Sequence, residues 1–94
     1  MMNQFLVISY DISDDKRRLK VMKALQDHGK RVQYSVFECR LRDKQLARLK
    51  ERLKPLVKEP QDSVRIYYIC ADDVVRLEVI GKGSVTKDNV YYLY

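Results

Sequence analysis

The sequence contains no tryptophan, one histidine, two cysteines, two prolines and three glycines. So little Gly and Pro leaves no room for a linker or a low-complexity segment, and one domain over residues 1–94 is expected. The lone His28 and the isolated Cys39 and Cys70 form neither Cys-x-x-Cys nor His-x-x-x-His spacing, which argues against the common zinc sites. A Gly-rich phosphate loop is missing too, and Ser-His-Asp chemistry is poorly supported. The longest apolar runs, Phe5 to Ile8 and Ile66 to Ala71, are far shorter than the roughly 20 residues of a membrane span. A cytoplasmic chain with no membrane contact and reduced, core-buried cysteines is expected.

What is present is charge. Nineteen Lys and Arg stand against 13 Asp and Glu, for a net +6. Such a balance points toward a polyanionic partner but does not by itself define one. Residues Lys16 to Arg31 carry seven basic residues and one acid, Asp27. A chain this short also covers its apolar surface poorly, so self-association is expected.

Gln4 to Tyr10 reads as a strand. Its consecutive Phe5, Leu6, Val7 and Ile8 require cover on both faces, as in a central strand. Asp14 and Asp15 supply helix-start chemistry, and a first helix is predicted from about Asp15 to His28 with Gly29 as its stop. Leu19, Val21, Met22 and Leu25 share its apolar side. Arg18 falls inside that arc, either frayed or held by a carboxylate, for which Asp11 is adjacent. Arg31 to Leu41 is extended, with a change of phase near Val36 and Phe37 that fits either a bulge or a break between two strands. Asp43 is a candidate cap for a second helix with Leu46, Leu49, Leu53, Leu56 and Val57 on one side, ending near Pro55. Ser63 to Cys70 and Val74 to Ile80 follow as strands. The tail, residues 82–94, is aromatic and β-prone, and is expected to pack on a second protomer.

This order predicts an α+β, ferredoxin-like βαββαβ sandwich with an extra C-terminal strand. Its two helices would cover one sheet face. A homodimer packed sheet against sheet would cover the other.

The chemistry-bearing stretch is Tyr10-Asp11-Ile12-Ser13-Asp14-Asp15-Lys16-Arg17-Arg18. A carboxylate at a strand end can hold Mg²⁺ through one or two oxygens plus waters. Asp11 can equally pair with Arg18 or cap backbone. Asp14 and Asp15 are better explained as helix-start residues. Most of the seven tyrosines read as core or interface rather than as stacking platforms.

Ser9-Tyr10-Asp11-Ile12, Lys16-Arg17-Arg18 and the run Gly29-x-Arg31-Val32-Gln33-x-Ser35-Val36-Phe37-Glu38 together resemble the small CRISPR-associated ferredoxin-fold family of spacer acquisition. The resemblance spans almost the whole chain. It implies a homodimer in which Asp11 of each protomer serves a shared Mg²⁺ as metal ligand and catalytic residue. It implies a metal-dependent endonuclease on single-stranded RNA or duplex DNA, and docking onto the CRISPR integrase. The alternative it carries is a non-catalytic DNA-binding scaffold in the integration complex. By position, Arg17 and Arg31 match nucleic-acid contacts, while Tyr10, Arg18, Ser35 and Phe37 match support of the site. The segment Arg76-Leu77-Glu78-Val79 departs from the family pattern by lacking a histidine, which bears on substrate preference. A toxin-like ribonuclease of related fold is a third reading, one without an integrase partner.

Overall fold

A computed structural model describes residues 3–58, 60–69, 74–81 and 89–92. Among the described residues, six strands and two helices follow one another: β1 (Gln4–Asp11), α1 (Asp15–Gln26), β2 (Gly29–Gln33), β3 (Val36–Leu41), α2 (Asp43–Leu53), β4 (Ser63–Ile69), β5 (Val74–Gly81) and β6 (Asn89–Tyr92). The strands form one sheet in the order β2-β3-β1-β4-β5-β6. The first four strands and two helices give the ferredoxin-like βαββαβ arrangement, with β5 and β6 added beyond β4.

β1 is central, pairing antiparallel with β3 on one side and β4 on the other. Its alternate residues Leu6, Ile8 and Tyr10 are buried under the helices with Phe37, Cys39, Val64 and Ile66. Val21, Ala24 and Leu25 of α1 and Leu46, Leu49 and Leu53 of α2 close that core. The intervening Phe5, Val7 and Ser9 lie on the other face, where no helix packs and exposure is intermediate. The both-faces pattern of β1 thus has its first cover from helices and its second face free.

Several local expectations are refined. α1 ends at Gln26 with Asp27 as its C-cap, and Gly29 opens β2 instead of stopping the helix. A Cβ at Gly29 would collide with the Cys39 sulfur and the Glu38 carbonyl, so the glycine serves close strand approach. His28 lies past the helix end with Nδ1 3.0 Å from the Ala24 carbonyl. Leu19, assigned to the apolar side, is 48% exposed at the rim, and Ala24 takes the buried position instead. Arg42, not Asp43, is the N-cap of α2, and Asp43 is its first residue. The Arg42 N–H donates to the Gln45 side chain at 2.8 Å. Pro55 sits in a 3-10 turn, Lys54–Leu56, that ends the helix, since proline lacks the N–H an α-helix needs.

The change of phase in Arg31 to Leu41 is a break between two strands. Tyr34 and Ser35 form a tight turn, with Ser35 at φ 64°. The β2–β3 register also shifts between Arg31 and Gln33. Cys39 is a free, buried thiol whose pKa burial pushes up to about 11. Cys70 lies outside the described residues. Of the tail, β6 runs along β5 of its own chain. Residues 82–88 and 93–94 lie outside the described residues. No helix is long and apolar enough to cross a membrane among the described residues.

Candidate functional site

β1 delivers Asp11 to the end of the sheet. Its position alternates with Tyr10, so it follows Phe5, Val7 and Ser9 on the face without helices. Opposite it in the ladder stands Ser63, the first residue of β4. The Asp11 side chain is exposed and has no hydrogen bond or ion pair among the described residues. It is therefore neither the holder of Arg18 nor a backbone cap.

The loop that follows is held from both sides. Arg18 donates from Nε to the Ile12 carbonyl at 3.0 Å and from a terminal nitrogen to Asp15 at 2.6 Å. Asp15, not Asp11, is the carboxylate that holds it. That bond is the main cause raising the Arg18 pKa further. Asp14 caps α1 by accepting the Arg17 N–H at 2.9 Å.

The second clamp centres on Asp62, which is fully buried just before β4. Its Oδ1 accepts the Ser13 N–H at 2.9 Å and the Ser13 hydroxyl at 3.0 Å. Its Oδ2 accepts the Lys58 N–H at 2.9 Å and a guanidinium hydrogen of Arg17. Burial alone would raise the Asp62 pKa. The Ser13 and Lys58 amides and the Arg17 guanidinium outweigh it and hold the carboxyl well below the usual carboxylate range. Gly81, at φ 98°, lets the end of β5 close against the Asp62 carbonyl, where a Cβ would collide.

Arg17, expected at a phosphate, is thus committed to Asp62 and to the Leu56 carbonyl at 3.0 Å. Its side chain is 21% exposed, and its guanidinium works on the loop. Arg31 is different. It is exposed, has no carboxylate partner among the described residues, and lies over the Tyr34 ring at 5.4 Å. Tyr34 departs from the general reading of the tyrosines, being 72% exposed.

Tyr10 and Phe37 are core residues beneath the site, with ring centroids 6.3 Å apart and a 30° tilt. Ser35 supports the site through backbone: its carbonyl accepts the Tyr10 N–H at 3.1 Å, so the β2–β3 turn is bonded to the residue preceding Asp11. The sequence-derived residues are therefore brought to one end of the sheet, with Asp11 and Arg31 lacking a charged partner among the described residues and with Arg17, Arg18 and Ser35 bonded to the segments around Asp11. Asp62 was the residue that sequence reasoning missed. Its one signal is position: an acid directly before the strand whose first residue pairs with Asp11.

One chain presents no group of three or more His, Cys, Asp or Glu suited to a metal among the described residues. A single exposed carboxylate fits a hard cation that keeps most of its waters, and a second copy would double the donor set.

Comparison with known proteins agrees with this architecture. A family model described as CRISPR associated protein Cas2 matches residues 2–76. A protein of Chloroflexus aurantiacus called CRISPR-associated endoribonuclease Cas2 3 is 42% identical over 92 residues, covering 98% of this chain and 99% of its own. A Thermus thermophilus protein called CRISPR-associated endoribonuclease Cas2 is 43% identical over 87 residues, covering 93% of each. Among solved structures, a hypothetical protein of Thermus thermophilus, TT1823, superimposes with a TM-score of 0.70 at 38% identity, covering 88% of this chain and 96% of that one. The sheet order, the placement of the Asp11 strand end and these matches lead to one assignment: the chain belongs to the Cas2 family of CRISPR-associated proteins.

Proposed function

We propose that this chain is a CRISPR-associated endonuclease that hydrolyses phosphodiester bonds in the cytoplasm, working as a homodimer around Asp11. The observation that carries the reading is the contrast at the end of β1: a free carboxylate next to a loop fixed by Arg17, Arg18 and Asp62. A group held in place without being neutralised is what catalysis by positioning requires. The names of the relatives support a nuclease, with RNA as substrate.

The second sheet face supports the dimer. Phe5, Val7, Tyr67 and Ile69 are half-buried there with no helix over them. Packing two such faces together would bring two Asp11 side chains toward one axis. The tail, residues 82–94, is assigned to the contact between protomers. The two carboxylates would hold Mg²⁺, which when bound supplies charge to polarise a phosphoryl oxygen and to acidify water. Arg31, being free, is assigned to a backbone phosphate. Arg17 is assigned to positioning through Asp62.

A scaffold role in the CRISPR integration complex is the second reading. It is favoured by the surplus of basic residues over the small donor set of one chain. The two are separated by cleavage of labelled single-stranded RNA and duplex DNA by wild type and Asp11→Asn, with Mg²⁺ or EDTA. The nuclease reading expects metal-dependent cleavage that falls by about 100-fold or more in the variant. Unchanged cleavage by the variant would reject Asp11 as the catalytic residue. No cleavage by either protein, with salt-sensitive duplex binding intact in both, would favour the scaffold.

A further inference from the structure

We propose that Tyr34, braced by Arg31, is a stacking platform for an unpaired nucleobase, and that it makes this end of the sheet selective for single-stranded over duplex nucleic acid. The proposal deepens the nucleic-acid reading above and rests on it.

Three observations carry it. First, Tyr34 is 72% exposed, although a tyrosine ring is usually at least half covered in a domain of this size. Arg31 lies against the ring at 5.4 Å, and exposure this high leaves the opposite ring face open to solvent. Second, the ring is held in place. It sits in a tight two-residue turn fixed by the left-handed Ser35, whose carbonyl accepts the Tyr10 N–H at 3.1 Å. The β1–β3 register runs to Ser9 opposite Val36, so continuing it brings the turn alongside Tyr10 and Asp11. Third, the surroundings are cationic and partly apolar. Arg31 is exposed against the ring, and Lys30, one residue before it in β2, is exposed as well. The large exposed apolar residues among those described, Leu19, Val32 and Tyr34, all fall on α1, β2 and this turn.

An open aromatic face backed by a guanidinium suits a nucleobase with its phosphate nearby. Every base has a π-face, so such contact tolerates sequence but requires an unstacked base. A duplex hides its base faces except at its ends and would meet the same surface through phosphates alone. A solvated turn tyrosine is the plain alternative. It explains the exposure but not the paired cation or the bond to the Asp11 strand.

The test measures binding in EDTA, so that no cleavage intervenes. The probes are a short single-stranded RNA carrying 2-aminopurine and a blunt duplex of the same length. The proteins are wild type, Tyr34→Ala and Tyr34→Trp, with circular dichroism to confirm folding. Tyr34→Ala is expected to weaken single-strand binding by roughly 5- to 150-fold. Duplex binding should change by less than about twofold. Tyr34→Trp should bind like wild type, and 2-aminopurine should be quenched by wild type and not by Tyr34→Ala. Equal single-strand binding by wild type and Tyr34→Ala, equal losses on both probes, or no single-strand binding by wild type would each overturn the proposal. Tyr34-dependent binding without cleavage when Mg²⁺ is restored would leave the platform standing and reject the nuclease reading instead.

Discussion

At the end of the sheet where β1 gives way to α1, Asp11 and Arg31 carry charges with no ionic partner among the described residues. Toward the opposite end, one cluster has its charges matched. Lys50 of α2 meets Glu78 of β5 at 2.6 Å, and the Tyr68 hydroxyl donates to the same carboxylate at 2.6 Å. Lys50 and Arg76 both lie near the Tyr68 ring, at 5.8 and 5.7 Å. Burial opposes ionisation of Glu78, but Lys50 and Tyr68 outweigh it and lower its pKa. The far cluster fastens a helix to the sheet. The Asp11 end pairs Arg17 with Asp62 and Arg18 with Asp15, and leaves the Asp11 carboxylate and the Arg31 guanidinium outside those pairs. The difference teaches where to look for chemistry: beside a saturated buried ion pair, at the groups the pair leaves unmatched.

The same chemical change at two aspartates tests that contrast most strongly. Asp62→Asn removes the negative partner of Arg17 and is expected to cost about 3 kcal/mol of stability, read as a lower urea midpoint. Asp11→Asn should alter stability by no more than about 0.5 kcal/mol while removing cleavage. A stable Asp62→Asn protein would break the comparison, because the clamp would then be ornamental.

The acid limb of stability gives the next test. Asp62 has a folded pKa depressed below its ordinary 3.8. Its contribution is fully present above that value and is lost as pH falls below it toward the folded pKa. The stability gap between wild type and Asp62→Asn should therefore be constant near neutrality and shrink on acidification below about pH 4. A gap that held its size there would mean the carboxylate is not what Arg17 and the amides recognise.

The smallest effect belongs to the far cluster. Glu78→Gln keeps shape and weakens the Lys50 pairing, which is partly exposed. A loss of about 1 kcal/mol is expected, with cleavage unchanged. Loss of cleavage there would show that the two ends are coupled.

Much of the fold was legible because it depends on periodicity. The unbroken Phe5–Ile8 run marked a central strand, and the leucine stripe Leu46, Leu49, Leu53 marked α2. Asp11 stood out because an acid ended that strand. What was not legible depends on contacts between distant residues. Asp62 lies in a polar stretch after Pro60 and looks like a turn residue; it is buried because Ser13, 49 residues away, is brought against it. Arg17 looked like a phosphate ligand for the same reason, since its partner was invisible. Leu19 was misjudged because it lies at the rim of the helix stripe, where the neighbouring elements decide exposure. The break at Tyr34-Ser35 carried no Asn-Gly or Asp-Gly signal, because Ser35 takes the left-handed position usually left to such residues.

The separation of 49 positions from Ser13 to Asp62 also sets an order of events during synthesis. At about 5–20 residues per second, the ribosome takes roughly 2 to 10 s to deliver the aspartate after the serine. Until then the loop after Asp11 lacks its second clamp, and β1 lacks one of its two strand neighbours. A growing chain therefore carries Asp11 before the contacts that fix the loop after it can form. The end of β1 is expected to reach its final geometry only once Asp62 and β4 have left the ribosome.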